Sequence, residues 1–194
     1  MQLHKRDVVA AATAILDTYG IADLTMRRLA RELDVSPGAL YWHFANKQEL
    51  LGAVADRILE PALVELPAAG WSERIGVACS GLRDALLSHT DGAELVSASL
   101  AAGQSQAAAQ ILERLTAATG EAGVAPANAE LAARTVVYYV LGFTADEQSR
   151  LQWDATGALP DRQSVLSSDP NRRFAFGLRL LIDGIAVRSG QPVS

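Results

Sequence analysis

The sequence predicts an all-α protein in which a small N-terminal three-helix module, built around a helix-turn-helix, joins a larger helical domain. Three observations predict it. Apolar residues recur at spacings of three and four, the helical period, while the alternation expected of strands is nearly absent. Helix start and stop signals come at short intervals up to Pro61 and at long ones afterwards. A chain of 194 residues that is 49% hydrophobic and 20% charged can bury a core, and its Pro and Gly are too sparse for disorder.

In the first helix Val8, Ala12, Ile15 and Tyr19 form one stripe expected to be buried, and Gly20 sits where a helix C-terminus favours glycine. Thr25 can cap a second, short helix with Met26, Leu29, Ala30 and Leu33 on its face. Asp34 marks the break, because aspartate tolerates the left-handed backbone of a tight turn. Ser36 followed by Pro37 supplies an N-cap and a proline at the first helical position, opening a third helix over about 37–44. Asn46 and Glu49 fit a capping box, and Leu50, Leu51, Val54 and Ile58 carry a fourth helix until Pro61 ends or kinks it. Past Pro67 and Gly70, alanine-rich and leucine-rich helices are expected over about 71–88, 93–101, 105–119 and 127–154. A loop rich in Pro, Ser, Gly and Asp follows over about 155–170, and a last helix runs from Asn171 to Arg188. The boundary falls near residues 60 to 70, giving domains of 1–60 and 61–194.

A net charge of −5 argues against a nucleic-acid partner only if the charge is evenly spread. It is not: in residues 1–50, Lys5, Arg6, Arg27, Arg28, Arg31 and Lys47 balance Asp7, Asp17, Asp23, Glu32, Asp34 and Glu49, so the surplus acid lies beyond. The single Cys79 excludes an internal disulfide framework and a cysteine-based zinc site. No signal-peptide pattern opens the chain, and the longest apolar run, Val136 to Phe143, is far short of the roughly 20 residues that span a bilayer. A cytoplasmic protein without membrane contact is expected. Ser88, His89 and Asp91 lie close in sequence, but they end a helix and enter a turn, where a nucleophile, base and orienting acid are not expected to converge. With no Gly-rich phosphate loop, paired histidines or Cys-His cluster, neither enzyme activity, a cofactor nor a metal is expected.

At 100° per residue the third helix points Leu40 and Phe44 into the module and Gly38 and Trp42 directly away, with Ala39 and Tyr41 on the flanks. Small residues let its N-terminal end approach a surface closely, and Arg27, Arg28, Tyr41, His43 and Lys47 surround that end with donors suited to phosphate or guanine. The pattern alone leaves other readings open: Arg27 and Arg28 as a solvated face, Trp42 as core. The stretch LTMRRLARELDVSPGALYWHFANKQELL, residues 24–51, resembles the N-terminal module of the TetR (tetracycline repressor) family, including its Leu-Tyr, two residues, Phe pattern and the Lys before the fourth helix. ALLSHTDGAEL at 85–95, YYVLGFTADEQ at 138–148 and FAFGLRLLIDGI at 174–185 resemble the ligand and dimer domain of the repressor that gives the family its name.

The resemblance implies a ligand-responsive transcriptional regulator, usually a repressor, released from a palindromic double-stranded DNA operator when a small molecule binds. Thr25, Tyr41, His43 and Lys47 then match positions holding the phosphate backbone, Arg27 with Pro37, Gly38 and Ala39 match positions near base edges, and Trp42 lies at the DNA surface; Arg28 and Ser36 complete the expected set. An effector cavity is expected from Leu63, Ala78, Leu82, Val96, Ser99, Phe143 and Asp146. Leu63, Ala78, Leu82 and Val96 stand where the namesake has His, Asn, Phe and His, so an apolar or mixed effector without metal is expected, or else a packed core with no cavity. The last helix carries Phe174, Leu178, Leu181, Ile182 and Ile185 on one stripe with Phe176, Leu180 and Val187 off it, and the Val136–Phe143 run is apolar all round. Helices apolar on both sides need partners on both, which points to a homodimer whose interface includes Tyr138, Phe174, Leu178, Leu181, Ile182 and Ile185, or to a helix central in a monomer. The rival function is a ligand-sequestering or protein-binding helical module without sequence-specific DNA binding, which suits the acidic charge.

Overall fold

A computed structural model describes residues 3–158 and 169–188. Nine α-helices and no strand are found among them: α1 (Lys5–Tyr19), α2 (Met26–Glu32), α3 (Pro37–Tyr41), α4 (Lys47–Leu59), α5 (Trp71–Leu87), α6 (Gly92–Ala101), α7 (Gln106–Glu121), α8 (Pro126–Ala155) and α9 (Pro170–Arg188). Most of the loop expected over 155–170 lies outside the described residues.

Local chemistry sets the first four helices. Thr25 accepts the Arg28 N–H at 3.1 Å and so caps α2. Asp34 takes the left-handed backbone at φ 53°, and Gly20 turns at φ 79°. Ser36 occupies the N-cap of α3 without a side-chain cap bond, and Pro37 opens the helix. α3 ends at Tyr41, three residues before the expected Phe44; the His43 and Phe44 N–H groups both fold back onto the Leu40 carbonyl, at 2.9 and 3.0 Å. The box at α4 is shifted by one residue, since Asn46 accepts the Glu49 N–H but Glu49 accepts the N–H of Ala45. α4 stops at Leu59, and Pro61 sits in a short 3₁₀ turn, Glu60–Leu63.

Val8, Ala12, Leu16, Leu24, Leu29, Leu40, Phe44, Leu50 and Val54 bury the N-terminal module. Each fully buried large apolar side chain contributes roughly 1.5–3 kcal/mol. Tyr19 is a correction to the sequence reading: it is 52% exposed, while Leu16 takes the buried place on its side of α1. α4 packs on α1 with one face and on α6 and α7 with another, so one core cluster continues from the module into the larger domain. There α5, α6, α7 and α8 pack on one another, and α9 lies on α8 and the end of α5.

The stripe of α9 faces the chain's own interior. Within this chain Phe174, Leu178, Ile182 and Ile185 are buried and Leu181 is half-buried, so most of the stripe serves the chain's own core, while Leu181 and Ile185 also line an open groove beside Leu180. A side chain already covered by α8 and α5 has little surface left for a second molecule. The face left open carries Phe176, Leu180 and Val187 from α9, with Leu131 and Tyr138 of α8 exposed as well. No helix of the described residues is long and apolar enough to cross a membrane.

Candidate functional site

The expected residues lie on and around the helix-turn-helix, and most of them reach solvent. Thr25, Arg27, Ser36, Pro37, Gly38 and Tyr41 are exposed, Trp42 is 87% exposed, and Ala39, His43 and Lys47 are half-buried. Leu40 on α3 and Phe44 in the turn after it, both fully buried, hold the segment against the core, while Trp42 at the C-cap of α3 points out. Space beside Gly38 is open, its nearest neighbour being the Ser36 hydroxyl. Arg28 differs from Arg27: its guanidinium pairs with Asp23 and lies 3.6 Å over the Tyr19 ring. That stack accounts for the exposed tyrosine, which α1 offers to the start of α2 rather than to the core. Lys5 pairs with Glu49 at 3.2 Å and lies 4.7 Å over Phe44, tying the start of α1 to the first turn of α4 beside Lys47. Glu49 is held below the usual carboxylate range, first by the Ala45 N–H it accepts and then by Lys5.

Two sets of contacts join this module to the larger domain. In the first, Asp17 of α1 meets the α5–α6 turn: His89 Nδ1 lies 3.0 Å from its carboxylate, and the Thr90 hydroxyl donates to its carbonyl at 2.9 Å. Asp91, left-handed at φ 52°, accepts the Ile21 N–H at 2.9 Å and the Gln152 amide at 2.6 Å, and a Cβ on Gly20 would come within 2.6 Å of it. Ser88 donates to the Asp84 carbonyl. The Ser88, His89 and Asp91 trio is thus spent on structure. The second set is at α4. Gly52 lies so close to the Gln104 carbonyl that a Cβ would overlap it, and Asp56 accepts the Ser105 hydroxyl at 2.7 Å and the Ala107 N–H at 2.9 Å, capping α7 from outside.

In the larger domain Leu82 and Val96 come together as expected, joined by Leu59, Leu100, Ala108, Ile111, Val137 and Leu141 around a cavity of about 10 Å³. Ala78 and Ser99 are buried on α5 and α6, the helices of Leu82 and Val96. Other members of the expected set go elsewhere. Leu63 is half-buried in the 3₁₀ turn with its carbonyl held by Arg114, Asp146 is exposed and paired with Arg150 at 2.8 Å, and Phe143 packs in an aromatic group with Tyr139 and Phe174. These three do not line the cavity that Leu82 and Val96 define: Phe143 and Asp146 lie two and five residues past Leu141 on α8, and Leu63 sits in the 3₁₀ turn rather than on a helix of that core.

Sequence reasoning missed a buried ion pair. Arg83 donates to both oxygens of Glu147, at 2.7 and 2.6 Å, and to the Asn171 side-chain Oδ1 at 2.9 Å, with its guanidinium 4.9 Å from the Phe174 ring centroid. The Glu147 carboxylate raises the Arg83 pKa further, and burial raises that of Tyr139, whose hydroxyl donates to the Phe174 carbonyl at 2.8 Å. Burial pushes the Cys79 thiol up to about 12, which leaves it inert. Among the described residues no three His, Cys, Asp or Glu side chains gather where an ion could sit.

Residues 8–54 match the family described as bacterial regulatory proteins, tetR family, and residues 63–166 match the tetracyclin repressor-like C-terminal domain. The chain belongs to the TetR family. It is 34% identical to tetracycline repressor protein class G of Vibrio anguillarum, over 94% of this chain and 93% of that one. The crystal structure of Mycobacterium smegmatis BioQ superposes with a TM-score of 0.90 at 66% identity, covering 96% of this chain and 99% of that one. A crystal structure of BioQ with its natural double-stranded DNA operator gives a TM-score of 0.84 at 63% identity, covering 95% and 99%. This TetR-family chain is therefore a transcriptional regulator and not an enzyme.

Proposed function

We propose that this TetR-family protein is a cytoplasmic repressor that binds a palindromic operator as a homodimer and releases it when a small molecule enters the C-terminal domain. The observation that carries the proposal is the surface around α3. The exposed Tyr41 ends α3 and the almost fully exposed Trp42 follows it, over the buried Leu40 and Phe44, and Arg27 on α2 is exposed while His43 and Lys47 further along the chain are half-buried. An exposed aromatic face ringed by donors has no role in the chain's own packing, and it suits a duplex whose phosphates fix the register and whose base edges carry the sequence. The relative crystallised with its operator shares this scaffold. Gly38 and Ala39 add little to direct readout, so base contact falls to Arg27, to close backbone approach and to apolar contacts of Trp42.

Release follows from α4, which supports α3's neighbours at one end and is held by Gly52 and Asp56 against the α6–α7 turn. A ligand that favours a different placing of α6 shifts α4, and with it the spacing of the two recognition helices from the roughly 34–36 Å that successive major grooves require. The deciding experiment is operator binding by fluorescence anisotropy over a range of salt. Affinity is expected to fall steeply as salt rises, and Tyr41→Ala or Lys47→Ala to weaken binding on every sequence by about fivefold or more. Unchanged affinity in both variants would sink the proposed docking.

A further inference from the structure

Two buried hydroxyls lack any hydrogen-bond partner: Ser99 on α6 and Thr144 on α8. They are 2% and 0% exposed. Buried polar groups are nearly always paired, so each unpaired one in a folded domain calls for an explanation. Their positions supply one. Ser99 follows Val96 by three residues and Thr144 follows Leu141 by three, and Val96 and Leu141 both line the cavity enclosed by α4, α5, α6, α7 and α8, which neither hydroxyl lines itself. Residues three apart are neighbours on a helix surface, so each hydroxyl lies about one turn beyond a cavity-lining residue, where a widening of the cavity would reach it. The cavity of about 10 Å³ holds at most about one water and is walled by aliphatic side chains.

Resting on the reading of the C-terminal domain as the effector domain, we infer that the effector is a neutral, mainly aliphatic molecule carrying an alcohol or carbonyl oxygen, received between α6 and α8 by the Ser99 and Thr144 hydroxyls. A hydroxyl can donate or accept, so either oxygen type satisfies it. An ionised carboxylate finds no counter-charge here. The buried cation of this domain, Arg83, spends its donors on Glu147 and Asn171, and an unpaired buried carboxylate is strongly disfavoured. The cavity is too small for such a molecule as it stands, so binding selects a state in which α6 moves off α8. That motion is transmitted directly, because the end of α6 leads into the Gln104 and Ser105 contacts with Gly52 and Asp56 of α4.

The test compares 1-octanol with octanoate, two probes of one chain length that differ in charge, by calorimetry and by operator release. It uses the full-length protein, Ser99→Ala and Thr144→Val. Without probe, both variants are expected to melt about 2–4 °C higher, because each removes a buried hydroxyl that has no partner. Octanol is expected to bind the wild type and release operator, octanoate to do neither, and each variant to bind octanol about fivefold more weakly while binding operator unchanged. Equal binding of the two probes, no binding of octanol, or variants that respond to octanol like the wild type would overturn the inference. Operator binding without probe separately tests the regulator reading, so a protein that holds operator but ignores octanol fails on the effector class alone.

Discussion

Glu147 shows how far one residue's role depends on a partner that its local sequence does not reveal. Asp146, expected in the effector cavity, instead pairs on the surface with Arg150. Its neighbour faces inward, where Arg83 takes both of its oxygens at less than a tenth exposure. Desolvating two charges is costly, and their attraction offsets the cost only when both are present. Glu147→Ala is therefore expected to lower stability by about 3–5 kcal/mol in chemical denaturation, by stranding the guanidinium among Phe143 and Phe174. The double variant Arg83→Met with Glu147→Leu is expected to recover most of that loss. A double variant no more stable than Glu147→Ala would mean that the aromatic and Asn171 contacts, not the charge pair, hold this region together.

The helices themselves were largely legible, and the reason is physical. Caps, breakers and period act within a few residues, so Thr25, Asp34, Pro37 and Asn46 mark their boundaries from sequence, and α5 to α9 fall within two residues of expectation. What periodicity does not tell is which neighbour covers an apolar face. Tyr19 shares the stripe of Val8 and Ile15 but turns to Arg28, and the α9 stripe covers the chain's own interior. Contacts between elements also hide in small residues. Gly52 reads as a weak point in α4, yet its missing side chain is what lets α4 meet the Gln104 backbone. Gly52→Ala is expected to cost about 1–3 kcal/mol, since a main-chain carbonyl cannot turn aside as a flexible side chain can. Gly76, a helical glycine of α5 with open space around it, is the matched control, and Gly76→Ala is expected to gain about 0.5–1 kcal/mol. If Gly52→Ala is as well tolerated as Gly76→Ala in thermal melts, the rigid seating of α4 on the α6–α7 turn is wrong, and with it the proposed route from effector to DNA.

For the whole molecule, the two faces of α9 separate folding from assembly. The inward face, with Phe174, Leu178 and Ile182, belongs to the core, and the outward face leaves Phe176 at 67%, Leu180 at 58% and Val187 at 63% exposed. Three large apolar side chains on one helix face, beside exposed Leu131 and Tyr138, are more than a monomer usually leaves in water. Beside them runs an open groove of about 570 Å³ between the start of α8 and the end of α9. In the proposed homodimer a two-fold axis through this region would make the same patch serve both subunits, in a four-helix contact from two copies of α8 and α9. Placing charge on the outward face with Phe176→Glu and Leu180→Glu is expected to give a folded monomer with unchanged helix content in sedimentation and circular dichroism. Operator affinity is expected to collapse in parallel, because two linked half-sites bind far more tightly than one. Leu178→Ala is expected to do the reverse, lowering stability by about 2–5 kcal/mol with no direct effect on assembly of the folded protein. Should Leu178→Ala dissociate the dimer while the outward charges leave it intact, the subunits would have to meet through the stripe of α9, and α9 would have to leave its own core to do so.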